Sequence, residues 1–115
     1  DGATGTALQG VTLTAEDFGG PELEGCNENL CATRPDVVDG VHEGYLAVGA
    51  DIVETNSFGG TPLVLNEYGL GDRAFELNAA AARIARAACA RCSATPIWPA
   101  VAANAVGSKI GICSR

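Results

Sequence analysis

Gly49-Ala50-Asp51-Ile52-Val53-Glu54-Thr55-Asn56-Ser57-Phe58-Gly59-Gly60 sets a short β-branched run between glycines, the form of a buried strand over 50–56. The residues before it have the helical period instead. Val37, Val38, Val41, Tyr45 and Val48 fall at three- and four-residue spacing, which predicts a helix over 35–48 with one buried stripe. Its start is marked by Thr33 as a capping hydroxyl, Pro35 in the first turn and Asp36 at the positive dipole end. Gly49 follows as a left-handed cap. A helix, a tight glycine turn and a strand make half of a βαβ unit.

Downstream, residues 61–68 carry apolar positions at 63, 64, 65 and 68 and stop at Gly69, which predicts a short helix. Asp72 can cap a longer Ala-rich helix reaching about Cys92, with Phe75, Leu77, Ala81, Ile84 and Ala88 on its inner side. Two prolines interrupt 93–99, and 100–106 is a small apolar run suited to another strand. Upstream, 11–30 is irregular, with one helical turn expected at 15–18. Residues 1–10, DGATGTALQG, form a Gly-rich loop that can open a short helix and expose its N–H groups. Alternation of this kind predicts an α/β protein with a parallel sheet.

The totals exclude several classes. A chain of 115 residues with 47% hydrophobic composition can build a core. Fourteen acidic residues against seven basic ones, a net charge of −7, repel a phosphate backbone, so nucleic acid is not an expected partner. The longest uncharged stretch, 92–108, contains Pro96, Pro99 and Asn104 and is too broken to span a bilayer, and no secretory signal is visible. Five cysteines in a Gly- and Ala-rich chain do not suggest a disulfide framework, which favours a cytoplasmic location. With no Met and Asp1 as first residue, the translation start is expected to lie outside this sequence.

Three phrases narrow the class: Asp1-Gly2-Ala3-Thr4-Gly5-Thr6, Glu24-Gly25-Cys26-Asn27-Glu28 ahead of Thr33-Arg34-Pro35-Asp36-Val37-Val38, and Gly49 to Gly60 as quoted above. Glu67-Tyr68-Gly69-Leu70 and Glu76-Leu77-Asn78-Ala79-Ala80-Ala81-Ala82-Arg83 extend the set. In this order they resemble the homocysteine-binding domain of the homocysteine S-methyltransferase family, of the cobalamin-dependent methionine synthase type. The resemblance is good over 1–92 and weak over 93–115, so 1–115 reads as part of one such domain, its amino-terminal fragment.

The resemblance implies an incomplete (β/α)8 TIM barrel covering the first two to three βα units without most of strand one. Asp1 then stands at the end of the first strand, Thr55 and Asn56 at the end of the second, and 100–106 supplies the third. The implied reaction is transfer of an activated methyl group to homocysteine held as a zinc thiolate. A free thiol titrates near about 8.5, and a bound zinc exposes the nucleophile at neutral pH. The implied methyl donor is methylcobalamin or a methylated sulfonium compound.

By the same resemblance, Asp1 pairs with the substrate ammonium and the N–H groups of Gly2, Ala3, Thr4 and Gly5 receive its carboxylate, while Glu54, Thr55 and Asn56 line the pocket. Composition alone would also explain the first set as a Gly turn with a capping Asp, and Thr55 as a strand-end cap. The family's zinc ligands are three cysteines on later strands. None of Cys26, Cys31, Cys89, Cys92 or Cys113 matches them, so no catalytic or metal-binding residue is assigned here, neither zinc nor methylcobalamin is expected to bind this chain alone, and the isolated 115 residues are expected to be inactive.

Cys89-Ala90-Arg91-Cys92 has metal-pair spacing but lacks a second pair, and reads as small buried helix residues. His42 reads as an ordinary surface or boundary histidine. An amino-acid-binding remnant without catalysis is the alternative function. A nucleotide loop at GATGTALQG is disfavoured, because it lacks GxGxxG spacing and a Walker lysine.

Overall fold

Pro35 at the head of a valine-rich run starts the helix that organises the molecule. The computed structural model describes residues 2–92 and the backbone of 113–114. Short helices α1 (Thr4–Gln9), α2 (Ala15–Phe18) and α3 (Leu30–Thr33) lead into α4 (Pro35–Ala47). Strand β1 (Ile52–Val53), α5 (Pro62–Leu65), α6 (Ala74–Arg91) and β2 (Cys113–Ser114) follow. Single 3-10 turns at Pro21–Leu23, Asn27–Asn29, Asn66–Tyr68 and Gly71–Arg73 join the helices. The expected loop opening into a short helix near the start, and the single turn at 15–18, are both present as α1 and α2.

Helix α4 keeps its expected extent to within a residue, but its start and its buried face need correction. Thr33 ends α3 and donates its hydroxyl back to the Asn29 carbonyl at 3.2 Å, so it cannot cap α4, and Arg34 occupies the cap position. Val37, Val38, His42 and Leu46 are buried, Val41 and Tyr45 half-buried, and Val48 is 83% exposed. Two residues along a helix turn it by about 200°, so a stripe through Leu46 throws Val48 outward. His42 belongs to the interior at 1% exposure, not to the surface. At the far end Gly49 takes φ +101°, and the Ala50 N–H returns to the Tyr45 carbonyl at 3.0 Å, closing the last turn.

Helix α6 packs along α4, and its run of alanines lets the two backbones come close. Ala74, Leu77, Ala81, Ala85, Ala88 and Cys89 face inward and Ile84 is half-buried, whereas Phe75 is 63% exposed, again two positions from a buried leucine. Asp72 lies within the 3-10 turn before the helix, exposed, and makes no capping bond. Arg91 at the end of α6 pairs with Asp39 and Glu43 of α4 on the outside of the seam. Exposed ion pairs contribute at most about 1 kcal/mol, against about 1.5–3 kcal/mol for each buried large aliphatic side chain, so Val38 with Ala81, and Leu46 with Ala85 and Ala88, hold the seam.

The strand is shorter than the sequence suggests. Only Ile52 and Val53 have strand geometry, because the Ser57 N–H turns back to the Thr55 carbonyl at 2.8 Å and ends the extended run. Its described pairing is antiparallel, Ile52 with Ser114 and Val53 with Cys113, where a parallel neighbour was expected. The described residues are therefore mainly helical, with one two-stranded ladder and no barrel. The expected strand at 100–106, Asp1 and the side chain of Cys113 lie outside the described residues.

Cys89 is disulfide-bonded, which the cysteine count did not suggest, while Cys26, Cys31 and Cys92 are free. No helix among the described residues is long and apolar enough to cross a membrane.

Candidate functional site

Polar groups gather where β1 ends and the chain turns through Thr55 to Gly60. Val53 is fully buried, which anchors the strand, and the following residues are held by side chains from both flanks. Asn56 is 6% exposed; its Nδ2 donates to the Asn27 carbonyl at 2.7 Å and to Cys31 Sγ at 3.5 Å. The Cys31 thiol donates in turn to the Asn56 carbonyl at 3.7 Å. Thr55 Oγ1 and Ser57 Oγ share a hydrogen bond of 2.6 Å, and Glu54 is exposed.

Two further contacts fix the glycine pair. Glu28 Oε1 accepts the Gly59 N–H at 2.7 Å, and Asn78 Nδ2 donates to the Gly60 carbonyl at 2.7 Å. A methyl group at Gly59 would lie 2.9 Å from Glu28 Oε1, and one at Gly60 would strike Asn78 Oδ1, so a side chain at either position would displace the group that holds the loop. The turn carrying Asn27 and Glu28 is itself tied down, since Asn29 Nδ2 donates to the Phe18 carbonyl at 2.7 Å.

The other expected substrate-binding set lies against α4. Gly2 sits on the Tyr45 ring with no room for a Cβ, and Tyr45 Oη donates to the Ala3 carbonyl at 3.4 Å. Ala3 caps α1 in an extended conformation without a side-chain bond, and Thr4 and Gly5 form its first turn. First-turn N–H groups have no acceptor within their own helix and are free to receive one from outside. Gly2 and Ala3 are thus held against α4 and Asn56 by the 26–31 segment, while Thr55 is bonded to Ser57.

The cysteines here are not poised as nucleophiles or metal ligands. Burial pushes the Cys31 thiol up to about 12, against the hydrogen bond from Asn56, and burial raises Cys26 as well. Both stay protonated at neutral pH. Among the described residues no group of three His, Cys, Asp or Glu side chains could hold a metal ion, so zinc finds no fitting donor set there. Sequence reading passed over Glu28, Asn27, Cys31 and Asn78 as site-forming residues. The Gly59-Gly60 pair was the available signal, since adjacent glycines after a strand mark a close backbone approach.

The family model described as homocysteine S-methyltransferase matches residues 1–113. The methionine synthase of Mycobacterium tuberculosis (strain ATCC 25618 / H37Rv) is 50% identical over 86 residues, 75% of this chain and 7% of that protein. The methionine synthase of Mycobacterium leprae (strain TN) is 49% identical over 86 residues, again 75% of this chain and 7% of the relative. The aligned part of the chain thus spans a small share of the length of the curated relatives it matches. With a family match over residues 1–113 and about 50% identity to methionine synthases over 75% of its length, the chain belongs to the homocysteine S-methyltransferase family.

Proposed function

We propose that this chain orients homocysteine in a methyl-transferring enzyme of the methionine synthase type, and that it supplies the first two to three βα units of a (β/α)8 barrel. The family match over residues 1–113 carries the reading. In it, Asp1 pairs with the substrate ammonium, and the N–H groups of Gly2, Ala3, Thr4 and Gly5 receive the carboxylate. An amino acid has these two poles, and a Gly-rich turn entering a helix beside an acid offers a partner for each. Glu54, Thr55 and Asn56 line the same pocket, with the Asn56 amide nitrogen already committed to Asn27 and Cys31.

The reaction forms a bond between the homocysteine sulfur and a methyl carbon as the donor–methyl bond breaks, with loss of the thiol proton. Methylcobalamin or a methylated sulfonium compound serves as donor. In the family, zinc supplies the thiolate; the described residues do not fit it, and sulfur activation is not assigned to them. The test is conversion of homocysteine and a labelled methyl donor to methionine by the protein that contains this chain, followed by mass spectrometry. Methionine formation is expected there and none from the 115 residues alone. Absence of methionine in the first case, or turnover in the second, would overturn the proposal.

A further inference from the structure

Glu28 and Asn78 reach the same dipeptide from opposite sides. Glu28 comes from the turn before α3 and takes the Gly59 N–H; Asn78 comes from the second turn of α6 and gives to the Gly60 carbonyl. Between them the Gly60 N–H closes a turn onto the Ser57 carbonyl at 3.0 Å. The same turn before α3 grips the loop a second time, through Asn27 and Asn56. Residues 56–60 are thus fixed at three points by side chains, and none of these bonds comes from the β1–β2 ladder.

We propose that Glu28, with Asn78 opposite it, is a positioning residue that sets the 56–60 loop and through it the affinity for homocysteine. This rests on the functional reading above. A loop placed this way presents Asn56 in one geometry, and a misplacement of about 1 Å in a group that orients a substrate is costly. Glu28 needs no contact with the substrate. Its carboxylate acts through the Gly59 amide, and the paired glycines give both side chains the room to reach the backbone.

The test uses the enzyme that contains this chain, with Glu28→Ala, Glu28→Gln and Asn78→Asp. Glu28→Ala is expected to raise KM for homocysteine on the order of tenfold, the effect of losing a hydrogen bond to a charged group, with kcat and KM for the methyl donor within about twofold. Glu28→Gln keeps an acceptor oxygen at the same length and is expected to stay within about threefold of wild type. Asn78→Asp turns a donor into an acceptor facing the Gly60 carbonyl and is expected to raise KM in the same way, which keeps the test open if Glu28→Ala does not fold.

Hydrogen exchange of a peptide covering 57–60 is expected to accelerate in Glu28→Ala while α6 stays as protected as in wild type. A wild-type KM in both Glu28→Ala and Asn78→Asp would overturn the positioning role, as would a Gln variant impaired as much as the Ala variant. A wild-type protein with no homocysteine-dependent turnover would instead overturn the functional reading.

Discussion

Arg34 closes onto Asp17 across seventeen positions, its Nη1 on the Asp17 carboxylate while its Nε and Nη2 fork onto Asp36. The Thr14 N–H, donated at 2.8 Å, is the larger influence on Asp17, and with Arg34 it holds the carboxyl below the usual carboxylate range. A carboxyl whose folded pKa is depressed adds stability above its unfolded value and loses it as pH falls through the folded one. Wild type should therefore lose stability below about pH 4 more steeply than Asp17→Asn. Urea midpoints from pH 2.5 to 7 measure this, and parallel curves for the two proteins would refute it.

His42 offers a second pH test, in the opposite range. It is buried on α4, its Nε2 has no hydrogen-bond partner, and burial lowers its pKa against the pull of Asp39. The unfolded chain then takes up a proton near about pH 6.5 that the folded chain resists, so stability falls as pH drops through that value. In His42→Leu this fall between pH 7 and 5 should disappear. A variant with the same slope as wild type would show that His42 is not its source.

Thiol reactivity should follow burial. Cys31, pushed up to about 12, and Cys26, 1% exposed, should resist iodoacetamide at pH 8 in the native chain, while the half-exposed Cys92 reacts first. Mass spectrometry before and after unfolding in urea would locate the label. Early modification of Cys31 would mean that the Asn56 bracket opens readily.

Gly49→Ala forces a side chain into φ +101°, with no neighbour within 4 Å to obstruct it. The cost is therefore conformational, about 1–2 kcal/mol, and should be smaller for Gly49→Asn. The shift in urea midpoint at constant slope is the measurement, and an unchanged midpoint would indicate that the α4 terminus can close another way.

Helices α4 and α6 were legible because burial imposes a period that survives without knowledge of the partner. Their phase was less so: Val48 and Phe75 satisfy an apolar pattern yet point outward, since hydrophobicity alone does not say which edge of a stripe meets the neighbour. Thr33 resembled a cap but serves the helix before it, because the short α3 runs into α4 with only Arg34 between them. Strand β1 shrank to two residues because a strand is defined by its neighbour, and Asp51 and Glu54 carry no information about which segment pairs with Ile52 and Val53. The family phrases contained Glu28 and Asn56, but the bonds joining Asn27 to Asn56 and Glu28 to Gly59 span 29 and 31 positions, beyond any local pattern.

All partners in the bracket around Gly59 and Gly60 lie between Phe18 and Asn78. That interval should therefore be transferred as one block. A chimera with another family member joined inside it, for instance at Gly49, would pair the gripping residues of one parent with the gripped loop of the other. Crossovers placed outside it carry the loop and its supports together, so breeding or grafting experiments on this fold should cut before Phe18 or after Asn78.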